Sequence, residues 1–279
     1  MRLAAVLAAL ALVIWAGSVQ AAQVGVPALQ TRLARSPYDY EARRELVEAC
    51  RRDGDHASAY YQAAWLAWLA PRSYAESGAG LVLLRDQRAR DRAAVESKAH
   101  GAAAVVAAMD GRRALLDSCL NGAIVQQASR VRADLTKLIA VAEEAEGRVG
   151  RADPVARSAI AQLYLLLDAC LVFEDTPESR RARPRAVQKA VSLATTVAAW
   201  LPESPGAHRM VAVSRARQAE LENRTEWWEV AVEASRRAAA LDPEDARLSE
   251  MVRALHLRAG QWSEARRWER GGPPREGGE

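Results

Sequence analysis

The sequence predicts an all-α protein built as a solenoid of antiparallel helix pairs, and three observations carry that prediction. The 279 residues are 50% hydrophobic but only 5% aromatic, an Ala- and Leu-rich profile that suits helices, whereas strands favour β-branched and aromatic residues. Ala and Pro recur twelve residues apart, as Ala59 and Pro71, Ala190 and Pro202, and Ala231 and Pro243. Gly54 and Gly260 each stand five residues before a small residue, Ala59 or Ala265, and eight after an apolar one, Leu46 or Val252.

Each spacing has a physical reason. The prolines follow apolar segments ending in Leu69-Ala70, Leu201 and Leu241-Asp242. Proline stops a helix there because the residue before it avoids the α region, and it can open the next helix in its first turn. The small Ala lets the second helix of a pair approach its partner closely. The Gly supplies a left-handed cap and so permits a tight corner between antiparallel helices.

From the N-terminus, Met1-Arg2 and an apolar run of 15 residues from Leu3 to Gly17 precede small residues up to Ala21. The run is shorter than the roughly 20 residues that cross a bilayer, so residues 1–21 read as a cleaved signal peptide, with an uncleaved anchor as the alternative. No Cys lies near that point to take a lipid. Helices are expected near 39–52, 56–70, 73–85, 89–109, 112–148, 154–173, 184–200, 206–222, 226–240, 244–258 and 261–269. Residues 112–147 lack proline and read as one long helix. Gly78, Gly80, Gly101 and Gly122 weaken their helices and point to close helix contact. The Gly- and Pro-rich residues 270–279 read as a disordered tail.

Leu, Gly, Ala and Pro in this order and phase resemble the tetratricopeptide repeat (TPR), whose unit is one helix pair of about 34 residues. The resemblance rests on Gly54, Asp55, Ala59 and Pro71 in residues 40–71, and on Ala231, Ala238, Leu241, Asp242, Pro243, Gly260 and Ala265 in residues 229–266. Arg43 and Ser249 replace the aromatic that often opens the first helix. The 41 residues from Pro202 to Pro243 imply a longer first helix or a longer loop, and between 74 and 151 the pattern dissolves. The organisation that follows is 29–85 as N-terminal TPR-like helices, 86–151 as a long-helix middle segment and 152–269 as C-terminal TPR-like helices. A right-handed superhelix and a groove lined by the first helix of each pair are what the resemblance implies.

Charge and chemistry narrow the function classes. The net charge of +4 falls to +3 once residues 1–21 remove one Arg and no acid, too weak a bias for a nucleic-acid partner. Cys50, Cys119 and Cys170 are too far apart for metal-ligand spacing and read as small buried residues. His56, His100, His208 and His256 are isolated. Neither a nucleophile elbow nor a phosphate loop is present, and Glu143, Glu144 and Glu146 read as solvated acids. No cofactor, no metal and no catalysis are expected.

Two sets of binding residues stand out. Glu41, Arg44, Glu48 and Arg51 recur at helical steps, and by the same phase Arg209, Val213, Arg247 and Glu250 continue along the groove that the resemblance implies. They read as a polar cradle for a peptide or carboxylate, or as a solvated face with weak ion pairs. Tyr61, Trp65 and Trp68 form an aromatic stripe at i, i+4 and i+7, with Trp227, Trp228 and Trp262 elsewhere. Exposed, they would mark an interface with a partner or with a second copy in a homodimer; otherwise Val24 to Leu33 or the helix after Pro71 covers them. Residues 177–185 are the densest basic cluster and read as a connection, solvated or docking an anionic lipid or polymer.

The function expected is an exported scaffold or adaptor for protein–protein interaction in the cell envelope, with no stable membrane span once the signal is removed. The first alternative is a transport accessory resembling the helical T component of tripartite substrate-binding transporters, with a ligand in a helical cavity. The second is a non-catalytic part of an envelope polymer-processing complex.

Overall fold

The computed structural model describes residues 25–71, 83–100, 106, 110, 123–149 and 153–268. The signal segment, the first part of the expected 112–148 helix, most of the 73–85 helix, Gly78, Gly80, Gly101, Gly122, Cys119 and the tail lie outside the described residues.

Among the described residues the chain is all-α: α1 Val26–Arg35, α2 Tyr40–Arg52, α3 His56–Leu69, α4 Gln87–His100, α5 Ala123–Val149, α6 Pro154–Glu174, α7 Pro177–Trp200, α8 Pro205–Glu222, α9 Thr225–Leu241, α10 Ala246–Arg258 and α11 Trp262–Arg267. Seven of these starts are capped by a side-chain oxygen. Asp39, Asp55, Asp153, Thr176 and Ser204 each accept from the amide three residues on, Asp86 accepts from those of Arg88 and Ala89, and Asp245 from that of Arg247. Each satisfies a donor that a helix start otherwise leaves orphaned.

Four antiparallel pairs share one kind of corner. Gly54 (φ 77°) joins α2 to α3 and Gly260 (φ 75°) joins α10 to α11. At both, the amide after the Gly bonds back five residues at 2.9 Å, Asp55 to Cys50 and Gln261 to His256, which is the Schellman closure. Asp175 (φ 45°) and Asn223 (φ 50°) turn α6 into α7 and α8 into α9. Short polar Asx side chains tolerate this left-handed backbone, so the repeat continues where no glycine marks it. The 41-residue interval follows from α8 and α9 having 18 and 17 residues.

The pairs do not form one simple row. A single continuous core runs from Leu29 and Leu33 of α1 through Leu46, Tyr60, Trp65, Leu66, Leu69, Ile160 and Leu163 to Ala207 of α8. Helix α3 lies against both α6 and α8. Ser204 Oγ donates to Leu69 O at 2.5 Å, and the Glu203 amide donates to Tyr38 Oη at 3.2 Å. Gly206 is required at this crossing, because a Cβ there would sit 1.6 Å from Trp68 O. Beyond it, α8 to α11 form a row with small, separate clusters rich in alanine, such as Ala212, Ala231 and Ala234, and Ala238, Ala239 and Val252.

Two expectations are corrected here. Residues 177–185 are helical, not a connection: Thr176 caps the start, Pro177 occupies the first turn, and α7 runs on through Pro184. Residues 26–35, given no helix by spacing, form α1 with Pro27 in its first turn. Helix α6 is long and apolar enough to span a membrane, but it is the central helix of the fold, packed on α3, α5, α7 and α8.

Candidate functional site

Helix α6 is the floor of a trough whose walls are α5 and α7. The lining includes Arg132 and Thr136 from α5, Tyr164, Leu167 and Leu171 from α6, and Glu178, Arg181, Ala182, Arg185 and Ala186 from α7, around a volume of about 560 Å³. Glu178, Arg181, Ala182 and Arg185 are exposed, so this is an open groove rather than an enclosed cavity.

Ion pairs fix the trough at both ends. At one end Arg132 donates to Glu174 Oε2 at 2.8 Å, and Ser179 Oγ donates to the same oxygen at 2.6 Å. At the other, Tyr164 Oη donates to Glu143 at 2.8 Å and Lys189 lies 3.8 Å from the same carboxylate. Burial, followed by that bond to Glu143, pushes the Tyr164 hydroxyl up to about 12, so it remains a donor at any physiological pH.

The basic cluster is divided by its neighbours. Arg180 pairs with Asp175 at 2.8 Å, and Arg183 donates to Asp168 at 2.9 Å. Asp168 is fully buried and also holds Arg217 at 3.5 Å, tying α6 to α7 and α8. Among the described residues Arg181 and Arg185 have no ion-pair partner. Being four apart, they point the same way from α7. The arrangement presents two free guanidinium groups beside an aliphatic floor, which suits an anion carried on an apolar body.

The predicted groove residues fall elsewhere. Glu41 pairs with Arg44 at 3.0 Å, Glu48 with Arg51 at 3.1 Å and Glu250 with Arg253 at 2.6 Å, all at i, i+3. Charges matched within one helix and open to water hold each other only weakly. Arg209 is half-buried, and burial lowers its pKa, with Asp245 and Arg247 nearby. Arg247 is exposed. The stripes are not joined in one helix stack: α2 packs on α1 and α3, α10 on α9 and α11.

The aromatic stripe is not an exposed interface. Trp65 is 2% and Trp68 9% exposed. Tyr38 and Tyr40 meet the Trp65 ring at 6.3 and 5.8 Å, and Arg43 lies over it at 3.8 Å. Tyr61 packs against the same core. Trp227 donates to Glu222 at 2.7 Å beneath the Arg215 guanidinium, and Trp228 packs into the α8–α9 cluster. The large side chains were readable as aromatic, but their covering by residues 38, 40 and 43 was not. Trp262 does remain 64% exposed.

Glu143 and Glu146 are not free solvated acids, since Glu146 accepts from Arg157 at 2.5 Å. Cys50 and Cys170 are buried. Among the described residues no three His, Cys, Asp or Glu side chains gather to hold a metal ion.

No family model matches the chain, and no curated protein matches it. Solved structures similar to it include human IFIT1 dimers, one with PPP-AAAA (TM-score 0.43, 11% identity, covering 87% of this chain) and one with m7Gppp-AAAA (TM-score 0.41, 11% identity, 87%). This chain spans 44% and 43% of the length of those chains.

Proposed function

We propose that the protein is an exported TPR-like scaffold that holds a segment of a partner protein in the trough between α5, α6 and α7. The observation that carries this reading is Arg181 and Arg185, without an ion-pair partner among the described residues, beside the half-buried Tyr164 and Leu167 of the floor. Small-molecule sites bury roughly 70–90% of their ligand. An open trough suits a macromolecular segment whose other faces stay in water, and it suits a transport cavity poorly. Export rests on the apolar run and small residues of positions 3–21.

Site-specific photocrosslinking from position 136 or 182 in the native host tests the reading. A discrete protein adduct that disappears in R181E/R185E supports it; absence of any protein adduct from both positions overturns it. N-terminal sequencing of the purified native protein tests export, with a start just after Ala21 expected and a retained Met1 contradicting cleavage.

A further inference from the structure

We infer that the trough receives an acidic amphipathic helix of the partner, an inference that rests on the scaffold reading above. Both lining stripes repeat once per helical turn. Leu167 and Leu171 are four apart on the floor, and Arg181 and Arg185 are four apart on the wall. Side chains so spaced lie about 5–6 Å from each other, close to the 5.4 Å pitch with which a second helix presents its own i, i+4 residues.

The length agrees. From Tyr164 to Leu171 the floor covers seven residues, or about 10 Å at 1.5 Å each. That is close to two helical turns between the ends tied at Glu143 and Glu174. A helix lying there places one apolar stripe on Tyr164 and Leu167 and one carboxylate stripe on the arginines, the helix-in-groove mode of recognition.

The wall also specifies polarity. Glu178, one turn before Arg181, stands in the first turn of α7 and lines the same groove. The wall therefore runs acid, base, base at one-turn steps. Its complement is a stripe reading Lys, Glu, Glu, flanked by Leu at i, i+4. Arg recognises carboxylates in a two-pronged geometry that Lys does not provide, so the two guanidinium groups fix the register, while the half-buried Tyr164 and Leu167 supply the contact area and Leu171, 2% exposed, backs them from below. Arg180 and Arg183, occupied by Asp175 and Asp168, are not available to this partner.

The test uses the whole mature chain and a fluorescent helical peptide of about 15 residues carrying the Lys, Glu, Glu and Leu stripes. Its isomer moves the two Glu to the opposite face at equal composition. The aligned peptide should bind about tenfold tighter than the isomer or better, with affinity falling as salt rises. R181E/R185E should remove that preference and transfer it to a peptide with Lys at both Glu positions, while circular dichroism shows unchanged helix content. Thr136→Trp, which fills the trough without altering charge, should weaken every peptide.

Equal binding of the two isomers, or indifference to R181E/R185E, overturns the inference. So does co-sedimentation with phosphatidylglycerol vesicles that depends on Arg181 and Arg185 when the peptides do not bind. A protein adduct from position 136 or 182 without peptide recognition sinks the acidic helix alone. The absence of both sinks the scaffold reading as well.

Discussion

The closed N-terminal body and the C-terminal row use the same corner and opposite ways of holding together. Gly54 and Gly260 close their turns with matching hydrogen bonds, yet the first pair is sealed into a core of Tyr60, Trp65, Leu66 and Leu69 while the last rests on Leu248 and Val252 among alanines. In the body α3 meets helices more than 80 residues distant. In the row α9 and α10 pack on sequence neighbours, as in any repeat array. Charge supplements the row: Arg217 pairs with Glu220 at 2.7 Å and Arg258 with the same carboxylate. Partly exposed pairs contribute only tenths of a kcal/mol to about 1 each, so the row should open first and the body last.

Body and row should differ most at Trp65. Its burial among Tyr38, Tyr40 and Arg43 predicts that Trp65→Ala costs about 3–5 kcal/mol and collapses the body cooperatively. A urea melt showing a loss below about 1 kcal/mol would mean that the aromatic face is not part of the core. Gly206→Ala comes next. Its Cβ would overlap the Trp68 carbonyl, so α3 and α8 must separate, at about 1–3 kcal/mol or more. Hydrogen exchange should then rise at residues 65–69 and 204–208 before it rises in α9. Unchanged protection of both segments would contradict the crossing.

The corners explain what the sequence made legible. Gly54 and Gly260 could be read because glycine is the cheapest residue at positive φ. Asp175 and Asn223 do the same work, but as polar residues they look like any loop position. In residues 177–185 the charge is legible and the helix is not, because Pro184 argues for a helix start while Thr176 and Pro177 place that start seven residues earlier. Which of its arginines are free depends on Asp168 and Asp175, and α5 reaches the groove from some fifty residues upstream. The docking of α3 on α8 is a contact across 135 residues, between Leu69 and Ser204. Local periodicity carries no trace of it, and a groove running from the α2 stripe to the α10 stripe would need an unbroken row.

The row's last corner should respond more weakly. Gly260→Ala puts a Cβ into a left-handed conformation with open space around it, so the cost is conformational, about 1–2 kcal/mol. It should loosen α11 alone. Asn223→Gly relieves the same conformation at the α8–α9 corner and should be neutral or slightly stabilising. If thermal melts showed both changes equally harmful, the left-handed assignment of these corners would fall.

The most conditional effect belongs to His256, which vanishes at neutral pH and grows with acid. The imidazole is buried in α10, with Nδ1 2.7 Å from Gln261 Oε1 at the start of α11. Burial lowers its pKa, with Arg236 of α9 acting in the same direction and Gln261 and Glu264 opposing. A folded pKa below the unfolded value of about 6.5 means that the unfolded chain takes up more protons as the medium is acidified. The stability present above that value is therefore lost as pH falls through it toward the folded pKa. Between pH 7.5 and 5, amide protection in α10 and α11 should decline while α3 holds, and His256→Gln should flatten the decline. An unchanged pH profile in that variant would locate the acid sensitivity elsewhere and remove this distinction between row and body.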